Sequence, residues 1–344
     1  MNPDRPREPH WLLRPFIDNR VFVDLREGVQ PTLAALFLKW TFRATDHPGT
    51  ARPLRNGDWY PMRPTVDDYG HEQPLGEGGV GVAHLWGCID ENNRVIDRVI
   101  VKNNYPGTAT WSRPHMWRDG QIGGEPRESM IGNHVYNELE AANPGDGKYV
   151  TRCFGYGGVY KLYLEYCPLG DLWDQISRQA ESEEVPVRKK RGSNGRLRVE
   201  KVRSPSGRFR AKTKTIENFP YHEGFVWMMF EALAKCAVAM ERANFVHGDM
   251  APSNIFLDEN NSNRFKIWPL PKLADFGSSR YIDPATKDRS AGLNESIQEL
   301  HAPPELMSIP EGWEMPGLEV THRTNIWQIG MIIICMMRLD PELP

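Results

Sequence analysis

Cysteine is scarce: five among 344 residues, at positions 88, 153, 167, 236 and 335. The number is odd and no CxxC pair occurs, so neither a disulfide framework nor a zinc site is indicated. A reducing compartment, cytoplasmic and/or nuclear, is the simplest expectation. Long apolar runs are missing as well. The longest near the end, Ile329 to Met337, is too short to span a bilayer and reads as a helix buried all round. No membrane partner is expected. The first ten residues are polar and Pro-rich, which excludes a signal peptide there. No internal repeat is visible. Charge of one sign does not dominate, since 42 Lys/Arg against 45 Asp/Glu leave a net charge of -3. A global field for nucleic acid or membrane is thereby excluded.

What is present is ordinary for a soluble globular chain: 40% hydrophobic and 25% charged residues. The length suffices for two packed cores. Residues 1–70 carry no readable motif and are assigned to an N-terminal extension. Within it, Thr32 to Phe42 fits one amphipathic helix, and Asp46 to Pro64, rich in Pro, Gly and Arg, fits a connector. From residue 71 short β-branched runs alternate with turn residues. Gly81 to Trp86 and Arg94 to Lys102 read as strands, with Asn92-Asn93 as a hairpin turn. A helix around Glu128 to Ala142 follows, then strands at Val150 to Tyr156 and Tyr160 to Glu165. This order predicts a small antiparallel α+β unit over 71–166. Helices dominate 167–344, with Phe225 to Arg242 as a core helix. An insert, 178–220, interrupts them. From Arg188 to Lys214 it holds twelve Lys/Arg and one acid, Glu200. Such a segment reads as a solvated flexible insert, and only weakly as a nuclear-import or nucleic-acid patch.

Four motifs carry chemistry. Gly76-Glu77-Gly78-Gly79-Val80-Gly81 places glycines where a backbone can approach phosphates closely. The residues after it read as a strand, so the arrangement is strand–loop–strand and not the strand–loop–helix of a dinucleotide site. Val99-Ile100-Val101-Lys102 ends a strand on a lysine suited to phosphate oxygens. His247-Gly248-Asp249-Met250-Ala251-Pro252-Ser253-Asn254 puts an aspartate and an asparagine on one loop after a core helix. Asp249 suits proton acceptance from a hydroxyl, and Asn254 suits a metal ion. Leu273-Ala274-Asp275-Phe276-Gly277 supplies a second metal ligand, Asp275.

Taken in this order, the motifs resemble the eukaryotic protein kinase family over about residues 71–340. The Tyr163 to Leu172 phrase resembles the family's hinge and is similar to kinases of filamentous fungi. The resemblance implies a two-lobed α+β fold with ATP and Mg2+ as cofactors and a protein substrate. Leu164 would be the gatekeeper, the backbones of Glu165 and Cys167 would hold adenine, and Asp171 would lie near the ribose. Ala302-Pro303-Pro304-Glu305 would close an activation segment. Several positions depart from the pattern. Gly248 and Ala251 stand where Arg and Lys are usual, and Asn325 replaces a buried aspartate. The glutamate partner of Lys102 is either Glu128, which lies on the appropriate helical face, or Glu138. The family's last large-lobe helices are expected to be missing after Pro344. Three readings follow: a Ser/Thr protein kinase, an ATP-binding pseudokinase, or a small-molecule phosphotransferase of the H-G-D-x-x-x-x-N type.

Overall fold

The computed structural model describes residues 42–62, 74–78, 81–92, 94–104, 113–157, 161–180, 220–261, 265–282, 301–304 and 320–342. Within the insert it describes the backbone of short strands.

A seven-stranded antiparallel sheet forms the first unit. Its strands are β1 (Phe42–Ala44), β2 (Asp58–Met62), β3 (Gly76–Gly78), β4 (Gly81–Ile89), β5 (Val95–Asn104), β6 (Cys153–Gly157) and β7 (Lys161–Leu164). The order is β1-β6-β7-β5-β4-β2, with β3 also paired to β4. Alternation along β5 separates two apolar layers. Val99 and Val101 pack with Trp59, Trp86, Phe154 and Tyr163, whereas Ile100 packs with Met62 and Leu85 on the other face. The β4–β5 turn is held by Asp90, whose Oδ1 accepts from the backbone of Asn92 and Arg94 at 2.9 and 2.8 Å.

The extension assigned to 1–70 supplies strands at both edges of this sheet. Phe42 pairs with Gly157 at one edge, and Met62 pairs with Leu85 at the other. The expected connector thus contains a strand. The pairings are non-local, so neither three- nor five-residue strand announces itself in composition. The helix expected over Thr32 to Phe42 lies outside the described residues, apart from Phe42, which opens β1. Strands β2 and β3 share one edge of β4, opposite Leu85–Ile89 and Gly81–Ala83 respectively.

Four α-helices are described: α1 (Arg127–Ala142), α2 (Leu172–Ala180), α3 (Glu223–Arg242) and α4 (Arg323–Arg338). Helix α1 turns Ile131, Val135 and Leu139 into the main core, at the spacing expected of one face. Helix α3 buries Phe225, Met229, Leu233, Cys236 and Met240 in the same core, where Ile329 and Ile332 of α4 meet them. All five cysteines are buried and none is joined in a disulfide.

One expectation is corrected. Helix α4 is not buried all round: Ile326, Trp327, Ile334 and Met337 are exposed, at 60, 45, 40 and 66%. Its inner face meets α3 and the loop after it, and an apolar sequence alone does not supply a second partner for the outer face. The basic insert, read as a solvated flexible segment, carries short stretches of paired backbone. Strands β8 (Glu183–Pro186) and β13 (Thr213–Ile216) pair, as do β9 (Arg188–Lys189) with β10 (Arg198–Val199) and β11 (Lys201–Arg203) with β12 (Phe209–Ala211). Charge suppresses burial but leaves antiparallel backbone pairing open.

Candidate active site

Strands β14 (Phe245–Val246), β15 (Ile255–Asp258), β16 (Leu270–Leu273) and β17 (Arg280–Tyr281) frame the site. The β15–β16 pair does most of the positioning. Ile255 lies opposite Leu273, so the residues just outside the pair, Asn254 and Ala274-Asp275, come side by side. Ala274 N donates to Asn254 O at 3.0 Å and fixes that end.

On the sheet side, β5 presents Lys102 and α1 presents Glu128. Lys102 Nζ lies 2.8 Å from Glu128 Oε1 and 2.8 Å from Asp275 Oδ1. Of the two acids weighed for this role, Glu138 instead faces His134 at 3.7 Å, one turn away on its own helix. Burial pulls the Lys102 pKa down, but the Asp275 and Glu128 carboxylates outweigh it, so the ammonium is held above its ordinary value. Burial raises the pKa of Glu128, whereas for Asp275 the Lys102 charge outweighs burial and lowers it. The Lys102 and Glu128 side chains are 13% and 6% exposed, against 41% for Asp275. Asp275 is thus the acid of the trio that opens to solvent.

Asp275 has φ 59° and ψ 70°, a left-handed conformation that turns its carboxylate back towards Lys102, with Gly277 N donating to Oδ1 at 3.4 Å. Phe276 then enters the core beneath α1. Its ring sits 5.1 Å from that of His247. A Cβ at Gly132 would come within 2.9 Å of it, so the glycine permits the close approach.

The catalytic-loop candidate is held from three sides. Asn254 Nδ2 donates to Asp249 O at 2.7 Å and to Asp249 Oδ2 at 3.0 Å. That leaves the Asn254 amide oxygen, not its nitrogen, for a cation. His247 Nδ1 accepts from Asp249 N at 3.3 Å while Nε2 approaches Ala274 O at 3.0 Å. This pattern requires a neutral ring, and burial lowers the His247 pKa to about 4. From α4, Asn325 Oδ1 accepts from His247 N at 3.0 Å. Gln328 accepts from Met250 N at 3.2 Å and donates to Gly248 O at 3.0 Å. Gly248 has φ +82°, which favours glycine over the usual arginine.

The remaining candidates form a third group. Gly76 opens β3, Gly78 closes it and Gly81 begins β4, Gly78 pairing with Gly81. Residues Gly79 and Val80 lie outside the described residues. Glu165 N donates to Arg152 O at 2.9 Å, so the atom its backbone offers to a ligand is the carbonyl. Its carboxylate meets buried Lys272 at 2.9 Å. Cys167 is buried, and burial drives its thiol well above the usual range. Asp171 accepts from Asp174 N at 2.8 Å, capping α2, and bridges to Phe256 just beyond Asn254. Glu305 lies outside the described residues.

Three contributors escape motif reading: Gln328, Lys272, and Arg127, whose Nη2 donates to Ser279 O at 2.7 Å. Gln328 alone had a signal, being a lone amide in an apolar run three residues after Asn325.

The family model for protein tyrosine and serine/threonine kinase matches residues 148–340, more than half of the chain. The chain belongs to this family. The sheet and helices fit its two-lobed α+β architecture, and the loops that carry Asp249, Asn254 and Asp275 lie inside the matched span. Lys102 and Glu128 precede that span and join it through the ion pairs just described. No curated protein matches the chain.

Proposed function

We propose that the chain is a protein serine/threonine kinase that transfers the γ-phosphate of Mg-ATP to a protein hydroxyl. One observation carries this reading: Lys102 is paired at once with Glu128 of α1 and with Asp275, the arrangement an assembled phosphoryl-transfer site needs. Lys102 would hold phosphate oxygens, with Glu128 fixing its direction. Asp249, aimed by Asn254 and by the loop's ties to α4, would orient the attacking hydroxyl and accept its proton.

Asp275 and the amide oxygen of Asn254 suit Mg2+, a hard cation satisfied by few protein oxygens plus water and phosphate. Among the described residues no three of His, Cys, Asp and Glu are grouped as a metal site, so such a cation would depend on the nucleotide for the rest of its ligands. When bound, it would neutralise charge on the phosphates. Gly76, Gly78 and Gly81 would cover the phosphates, the backbones of Glu165 and Cys167 would take the adenine edge, and Asp171 the ribose. Among the described residues no helix is long and apolar enough to cross a membrane.

A second reading, an ATP-binding pseudokinase, draws on Ala251. It is fully buried at a place where the family usually offers a lysine to the γ-phosphate. The two readings separate in a radiolabelled ATP assay on a generic protein substrate. Incorporation by the native chain, lost in Asp249→Asn, is the expected result. Equal incorporation in both would remove the kinase reading, and nucleotide-dependent thermal stabilisation without transfer would establish the other.

A further inference from the structure

The stretch that precedes the glycine loop is tied more closely to α1 than a passive extension needs to be. After β1 pairs with β6, the chain turns onto the outer side of α1. Thr45 Oγ1 donates to Glu125 Oε1 at 3.0 Å and accepts from Asn133 Nδ2 at 3.1 Å. Ser129 Oγ donates to the same Glu125 oxygen at 2.9 Å. Thr45, Glu125, Ser129 and Asn133 are all buried, at 2, 5, 1 and 0% exposure. Further along, His47 meets Asn137 at 3.4 Å, and a Cβ at Gly49 would collide with the side chains of Asn137 and Tyr136, so the chain passes close to the helix there. The chain is then returned to the sheet. Arg152 donates to Gly49 O at 3.0 Å, and Arg52 forms a two-bonded pair with Asp97 of β5 at 2.6 and 3.1 Å.

The contacts fall on Ser129, Asn133 and Asn137, which are four residues apart and form one line along the helix. Glu128 and Gly132, which face Lys102 and Phe276, form the adjacent line. Fixing the first line fixes the roll of the helix and so the direction of the second. Rolling α1 outward would strand buried hydrogen-bonding groups on both partners, which is the costly way to break a contact.

We propose that residues 42–52 are a built-in clamp on α1, with Thr45 and Glu125 as positioning residues that hold Glu128 against Lys102. In this arrangement the inward position of α1 is supplied by the chain itself. Gly248, which replaces the arginine that would answer a phosphorylated loop, belongs to the same logic. The proposal rests on the kinase reading for its catalytic consequence, but not for its structural one.

The test uses the full chain and three variants. Thr45→Val keeps the shape and removes the hydroxyl's three hydrogen bonds, to Glu125, to Asn133 and from the backbone N–H of His47 at 3.4 Å. Thr45→Ser restores the hydroxyl, and Asn137→Ala loosens the line without removing any partner of Thr45. Amide hydrogen exchange over 128–133 is read first. Thr45→Val is expected to speed it roughly tenfold, the order expected when one buried group loses its partner. Thr45→Ser is expected to stay near the native rate, and Asn137→Ala to fall between. Steady-state kinetics with ATP are read second, with a similar loss in kcat for Thr45→Val and recovery in Thr45→Ser. Unchanged exchange in both Thr45→Val and Asn137→Ala would overturn the clamp. So would a Thr45→Ser variant as loose as Thr45→Val, which would point to packing and not the hydroxyl. If the native chain transfers no phosphate, the kinase reading fails while the exchange data still decide the clamp.

Discussion

Asp171 carries a carboxylate that folding makes harder to ionise. Burial pushes its pKa up to about 6, against about 3.9 in an unfolded chain. The folded state therefore binds the proton more tightly, and this group weighs against folding increasingly as pH rises through that interval. Asparagine caps a helix as well as aspartate does, so Asp171→Asn keeps the bond to Asp174 and removes the titration. Urea unfolding is expected to find the variant more stable than the native chain at about pH 7.5, with the gap closing towards about pH 4. A gap independent of pH would contradict this account. Gly132 is the second informative residue. Alanine would ordinarily gain about 1 kcal/mol over glycine inside a helix. Here the Phe276 ring occupies the place a side chain would take. Gly132→Val is expected to lose about 1–3 kcal/mol through overpacking, measured by denaturant unfolding, and to lower turnover by displacing Phe276. The sequence does not reveal the ring beneath Gly132, because close approach between remote residues leaves no local pattern.

Among the elements, α4 works as a backbone for the catalytic loop. Asn325 and Gln328 together bond His247, Gly248 and Met250 through main-chain atoms. Gln328→Leu preserves volume but leaves a buried N–H and a buried C=O without partners, each costing about 1–3 kcal/mol. Its expected signature is a lower urea midpoint, with kcat falling more than the KM for ATP, since the loop carries Asp249 and not the phosphate contacts. An unaltered kcat would mean that the loop holds its shape without α4. The elements with strong periodicity, β4, β5, α1 and α3, were legible within a few residues. So were the short motifs around Lys102, Asp249 and Asp275, because each is local. Strands β1 and β2 were not, since their partners lie far along the chain: Phe42 finds Gly157 and Met62 finds Leu85. The pairs inside the basic insert escaped for a different reason, namely that composition reports the lack of a core and says little about backbone pairing. Arg127 and Lys272 belong to a last class, charged residues whose partners are set by tertiary packing alone.

At the scale of the molecule, the outer face of α4 is the conspicuous feature. Ile326, Trp327, Ile334 and Met337 project along one side of a helix, and a row of large apolar groups favours association. The net charge of -3 offers little repulsion to oppose it. Sedimentation velocity on this chain is expected to show larger species growing with concentration, and Ile326→Glu combined with Met337→Glu is expected to return it towards a monomer. A monomer at every concentration would show that the row is not adhesive. The thiols present the opposite case. All five are buried, and burial holds Cys153, Cys236 and Cys335 up at about 12. At neutral pH these are poor nucleophiles, which leaves the folded surface nearly silent to maleimides and iodoacetamides. A single cysteine introduced at exposed Asn92, in the β4–β5 turn, would then be a selective handle. A fluorophore or spin label could report on the sheet edge without first stripping the chain of its own cysteines.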